Sequence, residues 1–177
     1  SPFGKNAEVL YQKYKKFWHI FQKNNLNPKD KIIDTGEATV LIIGMGRVGT
    51  GAYNILEKAR PKKVLGIELS DERAKELRDN GFNVESADAT DTDFWNMVHL
   101  SKPVEEMIIL AMPNHMSNVY AAKRIQASRV DCKIVAIAKH ETEVNELSKM
   151  GIPSFNLYRE AGEALASEAL AEMNFKN

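Results

Sequence analysis

The sequence is short of the features that mark several protein classes. It holds a single cysteine, Cys132, so no internal disulfide can form, which fits a reducing cytosol. Cys132 itself reads as a small residue entering a strand rather than as a redox group. No apolar run approaches the roughly 20 residues that cross a bilayer, and no signal peptide is visible. Formal charge is zero, with 24 basic and 24 acidic side chains, so the overall balance points to no nucleic-acid partner. The four histidines, His19, His99, His115 and His140, show no metal-ligand spacing, and neither H-E-x-x-H nor a paired C-x-x-C occurs. G-x-S-x-G is missing too, and no catalytic set is evident. There is no internal repeat or low-complexity tract.

What is present describes a soluble globular chain, 44% hydrophobic and 27% charged over 177 residues. That length holds one ordinary domain with a sizeable core, plus an appendage. The charge is unevenly spread. Residues 1–36 carry seven lysines against three acids, so the remainder is net negative. Ala7 to Asn24 read as a basic amphipathic helix, with Val9, Leu10, Tyr14, Phe17, Trp18 and Phe21 on its apolar face. Docking on protein is the preferred reading of that helix over contact with a membrane surface. The Y-x-x-x-K match at Tyr11–Lys15 precedes the nucleotide-binding strand, where that dehydrogenase pair does not belong, and reads as coincidence. Asn27 to Glu37, with Pro28 and Gly36, is a polar linker, dividing the chain into 1–36 and 37–177. The opening Ser-Pro-Phe suggests a piece of a longer protein.

Beyond the linker, apolar strands alternate with amphipathic helices. Strands are expected at Val40–Ile43, Lys63–Leu69, Phe82–Ala87, Glu106–Ala111, Lys133–Ala138 and from Gly151 to near Leu157. Helices are expected at Arg47–Ala59, Ser70–Asn80, Asp93–Leu100, from His115 to about Ser128, Glu141–Met150 and Arg159–Met173. This alternation predicts an α/β, Rossmann-like, doubly wound parallel sheet of about six strands, preceded by the basic helix.

The first strand ends in Gly44-Met45-Gly46-Arg47-Val48-Gly49, the G-x-G-x-x-G spacing. Its first glycine makes a tight turn, its second lets a pyrophosphate approach the backbone, and its third lets the next helix sit close to the sheet. Free N–H groups and the positive end of the helix dipole then favour an anion. Glu68 falls about twenty residues further on, at the end of the second strand, where a carboxylate accepts from both hydroxyls of an adenosine ribose. Its charge would repel a 2′-phosphate, so AMP or NAD(H) is expected rather than NADP. Leu69 follows it. Asp88-Ala89-Thr90 leave the third strand on the same carboxyl edge, where Asp88 can accept from an adenine amino group. Asp91 or Thr90 can also cap the helix beginning at Asp93. Arg47 opposes the helix dipole, a cost that a phosphate or carboxylate would offset. The exit loop Met112-Pro113-Asn114-His115 lies over the same edge. His115 reads as a helix-start residue rather than a ligand.

The run Gly44–Gly49, Glu68 and Asp88-Ala89-Thr90 together resemble the KTN (TrkA-N, or RCK N-terminal) domains, over about residues 38–173. Ala87 stands where most relatives have glycine. Within that family the chain looks most like the cytosolic domain of the glutathione-regulated potassium efflux (Kef) antiporters, because no further subdomain follows its last helix. The resemblance implies a regulatory domain and not an enzyme, on the cytoplasmic face of the inner membrane. It implies a homodimer, a transmembrane antiporter domain of the same polypeptide joined through the basic helix, and an ancillary cytosolic subunit. It further implies AMP or NAD(H) in the cleft of Gly44, Met45, Gly46, Arg47, Val48, Gly49, Glu68, Leu69, Asp88, Ala89, Thr90 and Met112. Arg47 matches the arginine that helps hold glutathione between two copies. After the fifth strand, however, Kef relatives carry Arg-x-Arg-Asp where this chain has Ile137-Ala138-Lys139-His140, which leaves glutathione open. The last helix repeats Ala161, Leu165, Ala169 and Met173 on one stripe, suited to packing on the sheet or on a symmetry mate. A regulatory subunit of a Trk-type uptake system and a small NAD-dependent oxidoreductase are the alternatives. Little chain is left for a substrate domain, which weighs against the oxidoreductase.

Overall fold

Six short segments, the four central ones largely apolar, pair side by side in a computed structural model that describes residues 35–91, 93–95, 98, 106–128 and 132–174. The chain divides into two units, Ser1–Ile32 and Ile33–Asn177, and the described residues belong to the second. The helix expected over Ala7–Asn24 lies outside them.

The elements run in order as β1 (Val40–Ile43), α1 (Arg47–Ala59), β2 (Val64–Glu68), α2 (Asp71–Asp79), β3 (Val84–Ser86), β4 (Met107–Leu110), α3 (His115–Ala127), β5 (Lys133–Ala138), α4 (Glu141–Lys149), β6 (Ser154–Asn156) and α5 (Leu157–Asn174). Between β3 and β4, residues 93–95 and 98 are helical. All six strands are parallel, in the order β3-β2-β1-β4-β5-β6. The chain therefore leaves β1 toward one side and returns past it to β4. This reversal opens a crevice between the carboxyl ends of β1 and β4, where ligands of such sheets bind. The doubly wound reading of the sequence holds.

Strand β1 lies at the centre because both of its faces are apolar. Leu41, Ile42 and Ile43 are each at most 1% exposed. Burying each such side chain stabilises the fold by about 1.5–3 kcal/mol. Val40 and Ile42 face Tyr53 of α1 and Ala74 and Leu77 of α2. Leu41 and Ile43 face the opposite way, toward Phe94, Trp95, Val119, Ile125 and Leu147. Two cores thus clamp the strand that delivers the glycine loop.

Several elements differ from expectation at their ends, and two of these have an identifiable cause. The third strand is confined to Val84–Ser86, not Phe82–Ala87, because it is an edge strand paired only with β2. Just before it, Asn83 donates its side chain to the Val64 carbonyl (3.0 Å), and its N–H donates to the Tyr53 hydroxyl (2.9 Å). The last helix starts at Leu157 rather than Arg159, since Asn156 caps it: the Arg159 N–H donates to its side-chain oxygen at 3.2 Å. No loop separates β6 from α5. From Ala161 to Met173 every residue of α5 is exposed, with Leu165, Leu170 and Met173 between 59% and 72%. The stripe expected there does not pack on this chain's own sheet.

Candidate functional site

The glycine loop owes its shape to three contacts that glycine alone permits. Gly44 adopts φ +95°, and a Cβ there would stand 2.9 Å from the Ala111 carbonyl carbon and the Met112 nitrogen. A Cβ on Gly49 would collide with the Gly44 carbonyl oxygen. Gly66 in β2 makes room for Met45, whose Sδ would be 2.5 Å from a Cβ at that position. Met45 is fully buried on that glycine, so its side chain anchors the loop from beneath and is turned away from any ligand. Gly46 is the opposite case. It is extended (φ −73°, ψ −161°), with nothing within 4 Å of its missing Cβ. Open space therefore begins at the second glycine, where a phosphate would need it.

Helix α1 starts at this opening without a side-chain cap and with no acid in its first turn. By contrast, Ser70 caps α2 and Asn114 caps α3. The first N–H groups of α1 are therefore left for an outside acceptor. Arg47 stands exposed in the same turn; its carbonyl accepts from the Thr50 hydroxyl at 3.3 Å, and its guanidinium has no hydrogen bond or ion pair among the described residues. Val48 is half-buried beside it.

Glu68 ends β2 next to the loop. Its Oε2 accepts from the Met45 N–H at 3.2 Å and its Oε1 from the Ser70 N–H at 3.1 Å. A carboxylate has about four acceptor positions, so two remain for a ligand's hydroxyls. Leu69, 70% exposed, presents an apolar surface beside it. At the exit of β3, exposed Asp88 accepts through Oδ1 from both the N–H (2.8 Å) and the hydroxyl (2.6 Å) of Thr90, which fixes the turn. Ala89 is buried, and its carbonyl accepts from Trp95 Nε1 at 2.8 Å, so this residue positions the turn from the core side. The capping role belongs to Asp91, whose Oδ1 accepts from the Asp93 N–H at 3.0 Å.

Across the crevice, Met112 is held by a residue that the sequence reading missed. Asn118 is 1% exposed; its amide donates to the Met112 carbonyl (3.0 Å), and its Oδ1 accepts from the Met112 N–H (3.2 Å). A lone polar residue on the face of α3 that also carries Val119, Ala122 and Ile125 was the available signal. Asn118→Ala should orphan both Met112 groups and cost about 1–3 kcal/mol. Urea denaturation with an unchanged slope and a lower midpoint would show this, and an unshifted midpoint would refute it.

Two further contacts tie this loop to the exit of β5 and to α4. The Lys139 ammonium donates to the Pro113 carbonyl at 2.6 Å, and His115 Nε2 lies 2.8 Å from Glu146 Oε2. The Glu143 carboxylate accepts from the N–H of Lys139 (2.6 Å) and of His140 (3.4 Å) at the start of α4. Partial burial works to raise its pKa, but those two N–H groups and the rings of His115 and His140 bring it below the usual carboxylate value. This contribution to stability is therefore present above the ordinary carboxylate range and is lost as pH falls through the lowered value.

The site residues thus gather on one edge: Gly44–Gly49, Glu68–Leu69 and Asp88–Thr90 around β1, β2 and β3, and Met112 beyond the crevice. A cavity of about 580 Å³ lies at the other edge, lined by Val40, Leu56, Arg60, Glu106, Met107, Cys132 and Lys133. Arg60 and Glu106 pair at its rim, and it lacks a glycine turn or a helix N-terminus. Among the described residues, no group of three His, Cys, Asp or Glu could hold a metal.

The stretch of chain that builds this edge is matched in known proteins. Residues 40–155 match the TrkA-N domain. The chain belongs to the TrkA-N family. Its fold is shared with the TrkA-N domain of the inner membrane protein ybaL from Escherichia coli, at 25% identity and TM-score 0.62, covering 76% of this chain and 98% of that one. The NAD(P)-binding domain of an exopolyphosphatase-related protein from Archaeoglobus fulgidus is similar at 21% identity and TM-score 0.65, covering 76% and 98%. The Kef C-terminal domain of Shewanella denitrificans, in AMP-bound form, is similar at 18% identity and TM-score 0.62, covering 76% and 80%. No curated protein matches the chain. Among the described residues of this TrkA-N domain, no helix is long and apolar enough to cross a membrane.

Proposed function

We propose that this TrkA-N domain is the nucleotide-sensing regulatory part of a Kef-type potassium/proton antiporter, and that it binds an adenine nucleotide without transforming it. One observation carries the reading: an uncapped helix start faces open space at Gly46, beside a carboxylate with two acceptor positions to spare. The similar domains with AMP bound or named NAD(P)-binding support it.

The first-turn N–H groups of α1 would hold the phosphate, aided by the helix dipole. Glu68 would accept from the two ribose hydroxyls, and its charge would disfavour a 2′-phosphate, hence AMP or NAD(H) rather than NADP. Leu69 would lie against the base, and Asp88 Oδ2 would accept from the adenine amino group. Arg47, exposed and unpaired among the described residues, is suited to a second anion, and glutathione is one that fits the Kef reading. The exposed apolar side chains Leu165, Leu170 and Met173 of α5 favour pairing with a second copy. Nucleotide and second effector would then favour one arrangement of that dimer and bias an attached transport domain at the cytoplasmic face of the membrane. The family match also suits a regulatory subunit of a Trk-type uptake system, in which the transport domain is a separate chain.

The test pairs binding with turnover. AMP and NADH should raise the thermal midpoint of the full chain as concentration rises, and inorganic phosphate alone should not. NADH should be recovered unoxidised after incubation with a panel of carbonyl compounds. Turnover of any of them would overturn the regulatory reading.

A further inference from the structure

The crevice between β1 and β4 splits the proposed nucleotide site into two halves. Glu68, Leu69 and Asp88 border the adenosine half. The exits of β4 and β5 border the distal half, and a different set of contacts holds it in place.

Four bonds at three successive residues govern the distal loop. The Ala111 N–H donates to the Ile43 carbonyl at 2.8 Å, fixing the end of β4 to β1. Asn118 brackets Met112 from both sides. Next comes Pro113, which has no N–H of its own and stands exposed, so its carbonyl is the one backbone hydrogen-bonding group of that residue. Lys139 holds it, with Nζ at 2.6 Å, reaching from the exit of β5. The backbone of Lys139 is itself fixed, because its N–H donates to Glu143 Oε2 at 2.6 Å. The ammonium therefore works from a rigid base.

We propose that Lys139 is a positioning residue that lets the site discriminate a dinucleotide from a mononucleotide, by fixing the Pro113 peptide as a wall of the distal half. This rests on the nucleotide-binding reading given above. In a sheet wound this way a dinucleotide lies across the crevice, with its pyrophosphate at the glycine loop and its second nucleoside over the far strands. A mononucleotide ends at its phosphate and does not reach Pro113. A wall that drifts should therefore weaken the longer ligand and spare the shorter one.

Calorimetry on the full chain separates these outcomes, with AMP and NADH as the probes. Lys139→Met should weaken NADH about tenfold, the scale of one hydrogen bond lost at an ordered wall, and leave AMP within about twofold. Lys139→Arg should restore most of the NADH affinity, because a guanidinium also donates to a carbonyl. Urea denaturation monitors the fold of each variant. Equal weakening of both ligands, or no weakening of either, would overturn the assignment of Lys139, as would an arginine variant no better than the methionine one. If the unaltered chain binds AMP but not NADH, this inference alone falls. If it binds neither, the nucleotide reading falls and takes the inference with it.

Discussion

Gly49→Ala is expected to lose about 3 kcal/mol or more of folding stability together with nucleotide binding, whereas Gly46→Ala should fold normally and lose binding alone. The contrast follows from what each new methyl group would meet. At Gly49 it meets the Gly44 carbonyl oxygen, and Gly44 has little room to shift, since the space where its own Cβ would stand lies only 2.9 Å from the backbone of Ala111 and Met112. Overpacking usually costs about 1–3 kcal/mol, and more where backbone must move. Against a typical domain stability of about 5–15 kcal/mol, this is a severe loss. Gly46 has allowed extended dihedrals and empty space beyond it, so its substitution should cost no more than about 1 kcal/mol, the scale of a poorer residue at a helix N-cap. The same methyl group would stand where the phosphate must approach. Urea denaturation and calorimetry with AMP on the two variants separate fold from site. A Gly46→Ala protein that binds AMP as well as the unaltered chain would place the ligand elsewhere.

Glu68→Ala should weaken AMP by about 1.5–3 kcal/mol, the range for hydrogen bonds to a charged group, or roughly ten- to over a hundredfold. Two effects act together. Ribose loses its acceptors, and the Met45 and Ser70 N–H groups lose the carboxylate that holds the glycine loop to the end of β2. Glu68→Gln separates them, because an amide oxygen still accepts while the negative charge is gone. That variant should keep part of the AMP affinity and admit NADPH, whose 2′-phosphate the native carboxylate would repel. AMP affinity unchanged in Glu68→Ala would show that the ribose does not lie there.

How far these residues could be read from sequence depended on the range of the interaction. Helix starts are local, and the alternation of apolar runs with amphipathic segments was enough to give the parallel sheet and its carboxyl edge. Gly44, Gly46, Gly49 and Glu68 were legible because their spacing reflects one turn and one crossover. The ends of β3 and β6 were not. Val84–Ser86 is cut short by the side-chain bonds of Asn83, and α5 begins early because Asn156 turns from strand residue to cap. The site's supporting contacts were hidden for the same reason. Asn118 on Met112, Lys139 on Pro113 and Glu68 on the Met45 N–H are pairings across folded space. Asn118 left a trace as a polar residue on an apolar helix face. Lys139 left none, since its sequence context offered only a positive charge at a strand end. Met45 was legible as a loop residue, but its burial depends on Gly66, a residue of the next strand.

The central claim is that the carboxyl edge of β1 and β2 holds an adenine nucleotide and leaves it intact. Titration of the full chain with AMP in a calorimeter, followed by recovery of the ligand for mass spectrometry, tests this most directly. The account predicts saturation at one AMP per chain, unchanged AMP on recovery, and loss of the heat in Gly46→Ala. No saturable heat with AMP or NADH, or a nucleotide recovered in altered form, would contradict it.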